Sequence, residues 1–553
     1  MAARAGISPA RRRGAAGRSG GGLGGCPSNL EPTARVSQPL LRGAEGDVAG
    51  PLSAFVRLAC EPPCSSHDRR NRLAGPRARY GTDYSDSLPG SPRLDASRRR
   101  AVHGRAGPPD GNDGNNDMSL ELITLLYFVC LFFGLFLGLP VALGLGGTAV
   151  FFAVLFDPRS LPVVASGFYS TPWNSILVTV PMFLLMGNLI RFSGIADAAY
   201  DAVYKLIGHI AGGLAIGTVQ VCTIFAAVTG ITPPATITMG QIAYPSMMRY
   251  KYDRRIAIGS IAAGGALGAL IPPSVPFIFY GLLANASIGT LFLAGVVPGL
   301  MLAVFYSIYI GVRCWWQPHI GPALPADTRF TWREKGRAVV NIWPFVVLIG
   351  VVLGAIWGGV ATPTEAATFG ATGAVVINIV YGRMTWPILR DSLASTAQLA
   401  GMGLWILIGA TVYVNVFNAM GMQGLITSSV MAMPGGTTGI LLTMMLIILI
   451  LGTVMDDWAI IMLCTPLFIP IIDALGVDKI WFGVLFIVNI QVAYLTPPFG
   501  FVLFWIKSIL PADVNMGNVY QSVWPFVVLQ LLGLALIFMF PSIALWLPTV
   551  ADY

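Results

Sequence analysis

The chain has 553 residues, of which 55% are hydrophobic and only 11% charged, with a mean hydropathy of +0.70 and a formal net charge of +8. That profile excludes an ordinary soluble globular domain, in which about 25% of residues are charged. The seven cysteines and four histidines also exclude familiar metal chemistry, because Cys60, Cys64 and His67 lack a second ligand pair and no H-E-x-x-H occurs.

Residues 1–117 hold 18 of the 34 basic residues, all arginine, and 11 acids. They are rich in Gly, Pro and Ser and carry no sustained apolar run. Such a segment buries too little surface to fold, and it lacks the apolar core of a signal peptide. It is expected to be a disordered extension, with the working protein starting at or near Met118, just before SLELITLLYF.

From there the chain is dominated by uncharged runs of membrane-spanning length, such as Leu122 to Phe156 and Ser392 to Met455. A helix crossing a bilayer needs about 20 apolar residues, and the short alternating strands of a membrane barrel do not occur. We expect ten spans, near 120–139, 141–156, 173–191, 256–288, 290–312, 342–360, 364–381, 392–418, 480–506 and 519–547. A single kinked span across Pro140 is the alternative for the first two. Re-entrant hairpins are expected near 211–248 and 437–472. Placing Arg249 to Arg255 in the cytoplasm puts 14 basic residues on that side and only Arg159 and Lys479 on the other, as the positive-inside rule requires. This orientation puts Met118 outside, where the arginine-rich tail would break the same rule.

The punctuation of the chain recurs at a nearly constant offset. Pro140 pairs with Pro363, Gly194 with Gly421, Gly212 with Gly435, Pro272-Pro273 with Pro497-Pro498, and Pro298 with Pro525. The loop after the first hairpin is basic, whereas its counterpart, Asp473 to Lys479, leans acidic. The two copies, 118–341 and 342–553, should therefore face opposite sides. Inverted repeats with paired, broken segments mark secondary transporters with a site near the bilayer midplane. The expected fold is thus an all-α polytopic membrane protein with two re-entrant hairpins and two proline-broken helices.

Three prolines in LIPPSVPF, Leu270 to Phe277, and two in YLTPPFG, Tyr494 to Gly500, should unwind both segments. Irregular backbone survives at membrane depth where it lines a cavity. Pro272, Ser274, Thr496 and Gly500 are therefore candidate site residues, with carbonyls and hydroxyls for a hard cation and helix N-termini for an anion. The first hairpin tip adds Gly230 and Thr232, and the second adds Thr453, Asp456 and Asp457. A hard cation is expected at Gly230, Ser274, Thr453 and Thr496, which the family resemblance given below would make a sodium ion. Asp456 and Asp457 are the only acids well inside an embedded element, which makes them functional candidates; one of the two is expected to serve as a helix cap instead. Glu365 is read as a helix-start residue. No phosphate loop occurs, so the chain does not itself hydrolyse ATP, and nothing points to an enzyme or to nucleic acid.

The first-hairpin pattern with Tyr252 to Arg255, Ile271 to Ser274 and Tyr280-Gly281 resembles the large membrane subunit of TRAP (tripartite ATP-independent periplasmic) transporters. So do Ala361 to Ala367, Asp456 to Trp458 and Leu495 to Pro498. The resemblance spans about residues 119–548. It implies a sodium-driven importer of a small organic acid in the bacterial inner membrane, such as a monocarboxylate, 2-oxo acid or dicarboxylate. It also implies an elevator-type fold with a scaffold and a mobile transport domain, a small four-helix membrane subunit and a periplasmic substrate-binding protein. No four-helix block precedes Met118, so the small subunit is expected as a separate chain. Pro233-Pro234 departs from the small residues usual at the first hairpin tip and leaves the cation ligands there open. A stand-alone ion-coupled anion carrier is the main alternative, and a channel the next.

Overall fold

The computed structural model describes residues 119–325, 330–497 and 500–551. The expected extension at 1–117, with Met118, lies outside them. Every α-helix and short 3-10 turn between Leu120 and Val550 belongs to an all-helical assembly. Among the described residues, five helices or helical stretches are long and apolar enough to cross a membrane by length and composition, and several shorter apolar helices accompany them.

The chain opens with α1 (Leu120–Phe136) and α2 (Val141–Phe156). Gly138, at φ 84°, and Pro140, the N-cap of α2, separate them into two helices. Next come α3 (Leu161–Ser170), α4 (Thr179–Phe192) and α5 (Ile195–Ile207). The first hairpin is α6 (Gly213–Thr229) and α7 (Thr232–Arg249), and the first broken helix is α8 (Arg254–Ala266) and α9 (Val275–Ala284). α10 (Ile288–Trp316) is followed by α11 (Trp332–Trp357), α12 (Pro363–Val380), α13 (Trp386–Ala419) and α14 (Met422–Met431). The second hairpin is α15 (Gly436–Gly452) and α16 (Asp457–Ala474), and the second broken helix is α17 (Lys479–Leu495) and α18 (Phe501–Ile509). α19 (Met516–Met539) and α20 (Ser542–Val550) close the chain.

Both hairpins and both breaks stand where the glycines and prolines put them. Glu365 does start a helix: Thr362 Oγ1 and Glu365 form a reciprocal capping box on α12, which satisfies two orphan donors. Three helices were not expected. α3 and α14 are short, and α5 is two-faced, burying Ala199, Ala202 and Val203 while carrying Asp197, Asp201 and Lys205. The expected last span, 519–547, is two helices, because Phe540 leaves helical geometry ahead of Pro541, as the residue before a proline tends to do.

Packing between the two halves is reciprocal. α2 lies along α13, and α12 along α4. α7 packs on α18, and α16 on α9. α8 rests on α19, and α17 on α10. Both broken helices start alike. Asp253 caps α8 by accepting from Arg255 N at 2.8 Å, and Asp478 caps α17 by accepting from Trp481 N at 2.8 Å. The first helical residue is a cation in each case. Arg254 pairs with Asp513 at 2.7 Å, and Lys479 with Asp473 at 3.0 Å. Elsewhere a few buried polar contacts bind apolar helices, including Asn188 Nδ2 donating to Thr396 Oγ1 at 3.0 Å and Tyr127 OH donating to the Tyr413 carbonyl at 2.9 Å.

Candidate functional site

The first hairpin tip is closed onto the first break. Gly230 ends α6 at φ 65°, a conformation that suits glycine. Its carbonyl accepts from Val275 N at 3.0 Å. A Cβ on Gly230 would lie 2.5 Å from the Pro273 carbonyl, and one on Gly268 would lie 2.7 Å from that of Ile231. Missing side chains on both strands of this knot let two backbones touch. The 3-10 turn Leu267–Ala269 ends α8, and residues 270–274 are non-helical before α9 starts. Pro272 is buried there. Ser274 is fully buried, caps α9 by accepting from Phe277 N, and donates to the Ala269 carbonyl. Thr232 is also fully buried, and its Oγ1 has no hydrogen-bond partner.

The second tip is looser and charged. Thr453 is half-buried and donates to the Ile450 carbonyl at 2.7 Å. Asp456 occupies the N-cap position of α16, and Asp457 is its first residue. Asp457 is 7% exposed, and Asp456 Oδ2 is buried without a hydrogen-bond partner. At the second break Thr496 closes α17 and donates to the Val492 carbonyl at 2.8 Å, and Gly500 precedes α18. Pro498 and Phe499 lie outside the described residues. Among the described residues, no hydrogen bond joins residues 453–456 to residues 496–500.

A cavity of about 790 Å³ opens where these parts meet. Ile231 and Pro233 reach it from the first tip, and Asp456, Asp457 and Trp458 from the second. Phe501 and Trp505 of α18 form a third wall. The rest is Pro140 to Leu143 at the start of α2 and Leu399, Met402, Trp405 and Ile406 on α13. Ligand sites in polytopic bundles are largely apolar cavities with a few convergent polar groups, and here those groups are the two carboxylates. Among the described residues lining the cavity there is no lysine, arginine or histidine. A separate cavity of about 290 Å³ between α1, α14, α15 and α16 is lined almost wholly by apolar side chains and offers little to orient a solute.

The structure therefore brings Asp456 and Asp457 to the cavity directly. Gly230, Thr232, Pro272 and Ser274 build the closed knot beside it. Thr453 lies at the second tip, and Thr496 and Gly500 flank the second break. The hydroxyls of Ser274 and Thr496 do not occupy matching places: Ser274 starts the half-helix after its break, and Thr496 ends the half-helix before its own. The matched pair is Thr232 and Asp457, each the first residue of a second hairpin arm. Sequence reasoning missed the α13 wall. Trp405 carries no polar or proline signal in an unbroken apolar run. Pro140, noted only as punctuation, was the one available pointer to the α2 wall.

A multi-pass membrane protein whose paired hairpin tips share a midchain cavity with broken helices belongs to the transporter class. The family model "Tripartite ATP-independent periplasmic transporter, DctM component" matches residues 128–543, and the chain belongs to that family, the large permease subunit of TRAP transporters. It is 32% identical to the C4-dicarboxylate TRAP transporter large permease protein DctM of Pseudomonas aeruginosa, over 74% of this chain and 93% of that one. It is 30% identical to the sialic acid TRAP transporter large permease protein SiaM of Vibrio cholerae, over 75% and 96%. A crystal structure of the Alcanivorax borkumensis YdaH transporter overlays with a TM-score of 0.49 at 14% identity, covering 77% of this chain and 98% of that one.

Proposed function

We propose that this permease is a sodium-coupled importer of a small organic acid, acting in a bacterial inner membrane with a small four-helix membrane subunit and a periplasmic binding protein that delivers the solute. The observation that carries this reading is the shared cavity, in which both hairpin tips meet the half-helix α18 against α2 and α13. The reciprocal packing of α7 on α18 and α16 on α9 supports two inverted repeats, 118–341 and 342–553, around one site. α2, α4, α12 and α13 would serve as scaffold, with the hairpins and broken helices moving past them. Relatives named for C4-dicarboxylates, sialic acid and 2,3-diketo-L-gulonate support an organic acid. An isethionate relative named DctMQ, of which this chain matches 65%, supports a small-subunit partner.

The donor set suits a hard cation. Asp456 Oδ2 and Thr232 Oγ1 are buried oxygens with no hydrogen-bond partner, and such atoms are costly unless a ligand or ion satisfies them. Gly230, Ser274, Thr453 and Thr496 supply further carbonyl or hydroxyl oxygens near the two tips. We assign the coupling ion to Asp456 and the solute side of the second tip to Asp457, which adjoins Trp458. The test is sodium-dependent uptake in proteoliposomes containing the full system. Asp456→Asn should raise the half-saturating sodium concentration about tenfold or more, the size expected when a charge-assisted contact worth roughly 1.5–3 kcal/mol is lost. Asp457→Asn should weaken solute uptake with a nearly unchanged sodium requirement. Wild-type behaviour of both variants would sink the assignment. Uptake that persists without the binding protein would favour a stand-alone carrier, and non-saturating flux a channel.

A further inference from the structure

We infer that a groove between α10 and α19 holds an anionic phospholipid of the cytoplasmic leaflet, with its headgroup at Arg313 and an acyl chain along the two helices. The groove has a volume of about 420 Å³ and shares no lining residue with the cavity at the hairpin tips. Its α10 side is a single stripe, in which Phe305, Ile308, Tyr309, Val312, Arg313 and Trp316 follow one another at helical spacing. Leu529 and Leu532 face them from α19.

Three observations select this occupant. The first is charge. Arg313 is the one charged group among the described lining residues. It is exposed, and among the described residues it makes no ion pair. No carboxylate lines the groove to meet an amine or choline head, so a headgroup with net negative charge is the complement. Tyr309 stands one turn before Arg313, and its hydroxyl can donate to the same phosphate. Its ring is braced edge-on against Phe526 at 5.3 Å between ring centres.

The second is depth. From Phe305 to Trp316 the stripe is about 16 Å long at the rise of an α-helix, and one leaflet of a bilayer core is about 15 Å deep. The bias of basic residues puts the Arg313 end at the cytoplasmic face. Trp315 and Trp316, 75% and 71% exposed, stand at that end, as aromatic side chains do at headgroup level. The third is where the groove stops. One turn beyond Phe305 the helices close, because a Cβ on Gly533 would lie 2.6 Å from the Leu302 side chain. A groove half a membrane long suits an acyl chain, whereas a partner's spanning helix needs an apolar face about 30 Å long. α10 also packs on α17, and α19 on α8. The lipid therefore lies behind both broken helices, where it would hold the two backing helices at headgroup depth.

The test is native mass spectrometry of the purified full chain in detergent, with added dioleoyl-phosphatidylglycerol or dioleoyl-phosphatidylcholine. The wild-type chain should retain one phosphatidylglycerol about fivefold more tightly than phosphatidylcholine, the size one basic side chain contributes at an anionic lipid surface. Arg313→Gln should bring that ratio close to one. Leu529→Trp, which fills the groove from α19, should remove the tight site for both lipids. Arg333→Gln, at an exposed cation outside the groove, should leave the ratio unchanged. Equal binding of the two lipids by the wild-type chain overturns the inference, as does a wild-type ratio in Arg313→Gln or an intact tight site in Leu529→Trp. An equal fall in Arg333→Gln also overturns it, by showing general attraction to a basic face. A second measurement identifies the occupant in the membrane. Phe305→p-benzoylphenylalanine, photolysed in membranes of cells producing the full system, should give an adduct of phospholipid mass. A polypeptide adduct would show that a protein partner covers the groove, and that result, or the lack of any lipid adduct, overturns the inference.

Discussion

At the first hairpin tip a backbone hydrogen bond, two close-packed glycines and a buried serine cap tie the tip to its break. At the second, two carboxylates face a cavity, and Gly452 against the Ala493 side chain is the close contact to α17. The tips sit at equivalent points of the chain, yet one is tied to its break by backbone contacts and the other is lined by acids. A buried carboxyl oxygen without a partner is costly. The second tip accepts that cost, while the first places prolines and glycines where its partner has acids.

The comparison breaks most visibly at Gly230. Alanine there meets the Pro273 carbonyl and must keep φ at 65°. A non-glycine residue in such a conformation costs roughly 1–3 kcal/mol before any clash. Gly230→Ala should greatly lower the yield of folded protein and its melting temperature in detergent. Gly476→Ala shares the φ of 65° but meets nothing within 4 Å, and should lose only the conformational part. Equal losses in the two variants would show that the knot at the first tip adds nothing.

A smaller contrast lies between the two hydroxyls. Ser274→Ala removes a fully buried cap, worth about 0.5–2 kcal/mol. Thr496→Ala removes a half-buried hydroxyl bonded within its own helix, and should cost less. Thermal melting of both variants checks the order, and a larger loss for Thr496→Ala would reverse it. The smallest effect on stability is expected at Thr232→Val. Its hydroxyl has no partner to lose, so melting should hold or rise while sodium-dependent uptake falls. A lower melting point with unchanged uptake would make that hydroxyl structural.

Much of this architecture was legible because glycine and proline punctuate it. The hairpin at 213–249 and the break at 270–274 follow from residues that cannot continue a helix. The α13 wall was not legible. Where lipid and protein interior are equally apolar, no periodicity tells which face of Trp386–Ala419 turns inward, so Trp405 and Met402 carried no signal. α5 escaped notice because its charges read as a loop, although Asp201 and Lys205 stand one turn apart on a helix. The proline offset aligned the two breaks, although Ser274 follows its proline pair and Thr496 precedes its own. The equivalence of Thr232 and Asp457 is visible only once both helices have a first residue.

The exchange of partners between the halves makes them behave as clasped hands. The short helix α9 of the first half is gripped by α16 of the second, and α18 of the second by α7 of the first. Helices of 10 and 9 residues are too short to persist on their own, so each depends on an arm supplied by the other half. A chain severed between α10 and α11 would leave two pieces that are not domains. Each would present an empty grip and an unsupported short helix, and the cavity would exist only after both had closed on each other.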